Sequence, residues 1–165
     1  MSLDMHLKLE GGGVTFKGES KHDKHKDEVQ VLAWSWGMSQ SGSFNSGSAG
    51  GGAGKANIQD ISITKYIDKS STAFIKALVT GDHMKTVTLS CSKAGGKQED
   101  YLIIKLTEAM VTSYSTGGSG GEDMLTENIS ISFAQFDVEY FAQNDKGAVA
   151  SAGKAGYSVL TAVAT

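Results

Sequence analysis

Val31-Leu-Ala-Trp-Ser-Trp-Gly-Met-Ser-Gln40 sets two indoles and a thioether, those of Trp34, Trp36 and Met38, in alternation with Ala33, Ser35 and Gly37. Successive side chains of an extended strand point to opposite faces. As a strand, this segment therefore has one heavy apolar face and one nearly bare face. Met38 and Leu32 continue the aromatic stripe, which fits burial of that face in a core. The bare face, with Ser35 at its centre beside Ala33, points to solvent or to an enclosed channel. Hydrolytic sites look different, because they converge polar groups on a pocket. The segment reads as part of a wall.

Working outward, the strand is expected over residues 28–38 and is followed by a long Gly- and Ser-rich arm, residues 39–55. A connection of that length inside a compact domain is uncommon and usually functional. Its glycines, among them Gly42, Gly50, Gly51, Gly52 and Gly54, make it costly to order, about 1–2 kcal/mol per residue fixed, so docking on a partner is what would order it. Upstream, Leu3, Met5, Leu7 and Leu9 alternate with Asp4, His6 and Lys8 as a half-buried first strand. Residues 17–28 mix lysines with carboxylates and read as a solvated excursion. Downstream, strands are expected over 56–66, 85–92, 99–114 and 127–141, with parity slips near Asp60 and at Ala134–Gln135 that bulges or a bend would explain. Phe74, Ile75, Leu78 and Val79 form the apolar face of one short helix, with Asp68, Ser70 or Ser71 as its cap and Gly81 as its stop. Tyr157, Val159 and Thr161 offer a final weak strand. The pattern predicts a mainly β, barrel- or sandwich-like single domain over residues 1–165 with one short α-helix.

Composition narrows the function. The chain of 165 residues has a formal charge of −3, and all 15 of its basic residues are lysines. Without arginine there is no bidentate grip on guanine or phosphate, so a nucleic-acid partner is not expected. Cys91 is the one cysteine, alternates with Val87 and Leu89, and reads as a buried strand residue. Met1-Ser-Leu-Asp-Met-His places an acid where a signal peptide needs basic and then apolar residues. No apolar run approaches the roughly 20 residues of a membrane span, so the expectation is a cytoplasmic chain without membrane insertion.

No catalytic constellation survives inspection. Residues 50–55 suggest a phosphate loop, but counting back from Gly54-Lys55 places Ala49 where the first glycine should be and Ala56 where the hydroxyl should be. Gly117-Gly-Ser-Gly-Gly121 matches a nucleophile elbow around Ser119, yet every histidine precedes it and a strand is expected after it. His22 and His25 lie in the charged excursion without the further ordered ligands of a metal site. No enzyme activity, metal or cofactor is expected. If Trp34 and Trp36 were exposed, they could instead form the stacking platform of a monomeric carbohydrate-binding β-sandwich.

Three separated motifs carry a resemblance. Ala33-Trp-Ser-Trp-Gly-Met-Ser-Gln-Ser-Gly42, then Ile63-Thr-Lys-Tyr-Ile-Asp-Lys-Ser70, then Ser115-Thr-Gly-Gly-Ser-Gly-Gly-Glu-Asp123 with Leu125-Thr-Glu-Asn128, together resemble the Hcp (haemolysin-coregulated protein) family, in order and over residues 4–141. The resemblance implies the inner-tube protein of the type VI secretion system, a hexameric ring that stacks into a tube. It also implies secretion to the extracellular space or a target cell without a cleaved signal peptide, and partnership with the spike and sheath proteins. Small effectors would ride in the lumen. By the same resemblance Ser35 and Ala33 would line that lumen, and the arm, with Ser39, Gln40, Ser41, Gly42, Ser43, Gly50, Gly51, Gly52, Gly54 and Lys55, would reach the next ring. The glycine triplet after the first strand, the absence of arginine and a divergent tail over 142–165 depart from the family pattern. Some relatives carry a toxin domain after the tube domain, and no intrinsic effector activity is expected of residues 1–165.

Overall fold

A computed structural model describes residues 3–42, 55–93 and 98–165. In chain order its elements are β1 (Leu3–Glu10), β2 (Val29–Gln30), β3 (Ala33–Ser35), β4 (Met38–Ser39), β5 (Asn57–Ile58), β6 (Ile61–Tyr66), α1 (Ser71–Thr80), β7 (His83–Lys93), β8 (Asp100–Thr116), β9 (Thr126–Gln143), β10 (Val149–Ser158) and β11 (Val163–Ala164). The main sheet runs β11-β10-β9-β8-β7-β1-β2, with β6 also paired to β9 and β3 paired to β6. All of these pairs are antiparallel.

The opening segment closes this sheet into a barrel. Its first half pairs with β1, through Leu7 opposite Val29 and the Val31 N–H donated to the Met5 carbonyl at 3.0 Å. The next amide, Leu32 N–H, donates at 2.8 Å to Thr64 on β6. The expected single strand over 28–38 is thus broken into β2, β3 and β4, because the chain changes partner twice. Leu7, Val29, Ile61, Ile63, Met84, Leu89, Ile104, Ile129 and Ile131 fill the interior and are at most 2% exposed.

Both predicted parity slips have physical causes. Gln59 and Asp60 separate β5 from β6, and Thr112 Oγ1 donates to Asp60 at 2.7 Å across the break. On β9 the slip falls where one edge is shared between two partners. Residues 126–131 pair with β6 and residues 135–143 with β10, while the Ala134 carbonyl between them accepts from Val159 N–H at 2.7 Å. Pairing keeps one register on either side of Lys85 on β7, Glu108 on β8 and Ala134 on β9. Glu108 adopts a left-handed φ of 52°. The register shift between β8 and β9 falls further along, between Val111 and Ser113.

The helix begins after Ser70 and ends at Gly81, whose φ of 67° is the left-handed stop the sequence predicts. Its face is rotated from the expectation. Phe74 and Ala77 are buried, whereas Ile75 is 42% and Val79 71% exposed. Small Ala77 lets the helix backbone come close to the barrel, and that approach decides which flank is covered. The tail is more regular than its composition implied. β10 pairs with β9 along its length, interrupted between Ser151 and Gly153, while Thr161 lies outside any strand.

Candidate functional site

The bare face of the opening segment extends across four strands. Through paired registers, Ser35 on β3 lies opposite Ser62 on β6, which lies opposite Ser130 on β9 and then Ser113 on β8. The next row is Ala33, Thr64, Asn128 and Ser115. Directly paired residues share a face, and the interleaved row, Trp34, Ile63, Ile129 and Tyr114, points the other way into the barrel. Ala33, Ser35, Ser62, Ser113, Ser115 and Asn128 are exposed, and Thr64 and Ser130 partly so. No side chain in these two rows is charged. Thr64 Oγ1 donates to Asn128 Oδ1 at 2.8 Å, which fixes the longest of them flat against its neighbour. The result is a smooth hydroxyl- and amide-bearing wall. Sequence reading located Ala33 and Ser35 but missed the residues on β6, β8 and β9. Their signal was the small polar residue between each pair of core isoleucines, as in Ile61-Ser-Ile63 and Ile129-Ser-Ile131.

The indoles behind the wall are half-buried and packed on the core. Trp36 meets Phe136 edge-on at 4.8 Å and donates its ring N–H to the Gln59 carbonyl at 2.9 Å. Trp34 packs by Cys91, a buried free thiol. Burial pushes that thiol's pKa up, and a side-chain hydrogen bond with Trp34 works against the rise. Neither ring is a free stacking platform, which removes the basis of the carbohydrate-binding alternative. Met38, expected to continue the buried stripe, is instead 51% exposed. Past Trp36 the chain leaves the barrel, and Met38 and Ser39 pair with Ile58 and Asn57 in a separate two-stranded ribbon. Ile58 on that ribbon still packs partly against the core, whereas Met38 does not.

This ribbon is the base of the predicted arm. Ser39, Gln40, Ser41, Gly42 and Lys55 are all exposed on it or beside it. Ser43, Gly50, Gly51, Gly52 and Gly54 lie outside the described residues. After Lys55 the chain enters β5, a strand, where a phosphate loop needs a helix. Ser119 sits at the exposed tip between β8 and β9, and β9 follows in place of the helix of a nucleophile elbow.

The excursion over 17–28 departs most from expectation. Ser20 and His25 in it are buried, at 2% and 6% exposure. It covers the outer face of β1 and β7, where His6, Ser90 and Ser92 are buried as well. His25 bonds Glu28 through Nδ1 and Asp100 through Nε2, both at 2.9 Å. Local composition gave charge and polarity but could not show that the carboxylate of Asp100, far along the chain, receives the imidazole. Among the described residues, no three His, Cys, Asp or Glu side chains are arranged to hold a metal ion.

The family model described as "Type VI secretion system effector, Hcp" matches residues 6–140. The chain belongs to the Hcp family. It is 55% identical over 149 residues to Protein hcp1 of Pseudomonas aeruginosa, covering 90% of this chain and 89% of that protein. Among solved structures, Hcp1 from Salmonella typhimurium superposes with a TM-score of 0.78 at 30% identity over the full length of both chains. A type VI secretion system effector from Yersinia pestis gives 0.74 at 32% identity, covering 94% of this chain and 100% of the other. A type six secretion system protein gives 0.90 at 30% identity over 99% of this chain and all of its own. The superposition on Hcp1 covers the tail that the sequence motifs did not reach. No helix among the described residues is long and apolar enough to cross a membrane.

Proposed function

We propose that this Hcp chain is the ring subunit of a type VI secretion inner tube. Six copies close head to tail into a ring, and the arm over 39–55 reaches from one ring to the next. The two uncharged rows through Ser35 and Ala33 face the lumen and carry small effectors. The assembled tube works with spike and sheath proteins and leaves the cell with its cargo, without a cleaved signal peptide. The chain catalyses nothing and needs no cofactor. Nucleic acid is not a partner, and the chain does not insert into membranes.

The observation that carries this reading is the wall itself. A lumen must hold cargo weakly enough to release it. Short hydroxyl and amide groups at modest density provide contact without the deep pocket or ion pairs that make binding tight.

The test is Ser35→Gln. The longer amide projects from an exposed position and leaves the core untouched, so stability should stay within about 0.5 kcal/mol of wild type. The expected outcome is an unchanged ring with reduced retention of a co-expressed small effector, measured by co-purification. Retention equal to wild type for every effector tried refutes a cargo role for this wall.

A further inference from the structure

Three imidazoles meet between β1 and the 17–28 excursion. His6 stacks on His25 with ring centroids 4.7 Å apart and planes 12° from parallel. His22 lies 5.1 Å from His6 and 5.2 Å from His25. His25 is held at both nitrogens by carboxylates, Glu28 within the excursion and Asp100 at the start of β8. His6 and His22 are not. His6 Nδ1 and His22 Nε2 are buried and have no hydrogen-bond partner. The Lys24 N–H points at His22 Nδ1 from 3.3 Å, so neutral His22 carries its proton on the partnerless Nε2. A protonated His6 would add a second buried N–H with no acceptor, stacked face to face on a ring already braced in its charged form. Proton uptake at His6 is thus opposed by sterically fixed neighbours.

We propose that the His6–His22–His25 cluster is a pH-sensitive clasp, which holds residues 17–28 on the outer face of β1, β7 and β8 near neutrality and releases them on acidification. The surrounding carboxylates favour protonation, but at His6 they are outweighed by burial and the two neighbouring imidazoles. β1 contributes Asp4; the excursion contributes Lys21, Asp23 and Glu28; β8 contributes Asp100; β7 offers only the uncharged Ser90 and Ser92. A surface cleft lined by Asp4, Lys21, Asp23 and Gln30 opens onto His6 and His22, which gives protons a path in.

The two titrations act in sequence. Burial lowers the His25 pKa, but its hydrogen bonds to Asp100 and Glu28 outweigh this and raise it above 6.5. Its brace is complete below 6.5 and is lost as pH rises through the higher value. Burial, then the neighbouring His25 and His22, push His6 from 6.5 down to about 4. Above 6.5 that shift has no effect, and stability is lost as pH falls from 6.5 towards 4. The excursion is held tightest near pH 6.5 and loosens below it, before carboxylates of ordinary pKa take up protons.

Hydrogen exchange by mass spectrometry on the assembled protein, corrected for intrinsic rates, tests this. Internal amide bonds such as Gly18 N–H to Asp27 and Ser20 N–H to Glu28 make the segment visible. Between pH 6.5 and pH 5, protection over 17–28 should fall roughly 15-fold, the change in opening constant implied by the His6 shift, while β9 keeps its protection. His6→Gln should abolish that response, and His25→Gln should leave the segment poorly protected at both values. Protection that is independent of pH, that falls equally in β9, or that still falls in His6→Gln overturns the proposal. Should His6→Gln fail to fold, the wild-type profile decides it: release of 17–28 ahead of every other segment supports the clasp, and any other order refutes it.

Discussion

Lys65 and Glu127 are both fully buried, and each is satisfied by its neighbours. Lys65 Nζ donates to Glu127, to Asp68 Oδ1 at 3.0 Å and to the Tyr66 carbonyl at 2.9 Å. Glu127 also accepts from Ser71 Oγ at 2.7 Å and from the Tyr114 hydroxyl. Burial, followed by that bond to Glu127, pushes the Tyr114 pKa up to about 12. Removing the Glu127 carboxylate leaves Asp68 as the one carboxylate on the buried Lys65. Glu127→Gln should therefore cost about 1.5–3 kcal/mol, measured by urea unfolding at fixed protein concentration. Lys65→Met with Glu127→Leu should recover most of that loss, because two apolar groups need no partners. A loss below about 1 kcal/mol in Glu127→Gln contradicts the assignment. The sequence carried the clue, since Lys65 shares parity with Ile61 and Ile63. A lysine reads locally as the end of a strand, however, and its partner lies on another one. Ser35 and Trp34 were legible because alternation alone assigns opposite faces. The burial of His25 was not, because it depends on Asp100.

Elements were read well wherever their own residues decide them. The helix limits follow from its Gly81 stop, and the long strands β8 and β9 follow from alternation. Reading failed where a neighbour decides. A strand that exchanges one partner for another looks continuous in sequence, so the division into β2, β3 and β4 was hidden. The covered flank of α1 is a similar case, set by how closely Ala77 lets the helix approach. Two paired substitutions test that orientation. Phe74→Ala should cost about 3–5 kcal/mol, whereas Ile75→Lys should stay within about 0.5 kcal/mol. Equal losses by thermal or urea unfolding would mean that the helix packs on the other flank. The arm is tested as an element too. Replacing residues 42–54 with a short Gly-Ser turn should leave rings intact and stop their stacking at high protein concentration. Tubes as long as those of wild type in electron micrographs would refute the bridging role.

At the scale of the molecule, fold class was legible because the run of short alternating segments admits few architectures. Closure was not legible, since it rests on two consecutive amides, Val31 and Leu32, bonding to different strands. Assembly is checked by light scattering on a sizing column, which should give six times the 17.3 kDa chain. A monomer at micromolar concentration contradicts the ring. The wall described by Ser35, Ser62, Ser130 and Ser113 has a consequence for ionic conditions. A surface with no fixed charge gathers no counter-ion layer, so nothing is released or screened when cargo touches it. At 0.01 M salt the Debye length is about 30 Å and at 1 M about 3 Å, a range over which a charged channel would change its grip completely. Effector retention governed by this wall should be nearly flat across that range, and a steep fall with added salt would show that cargo is held by charges elsewhere.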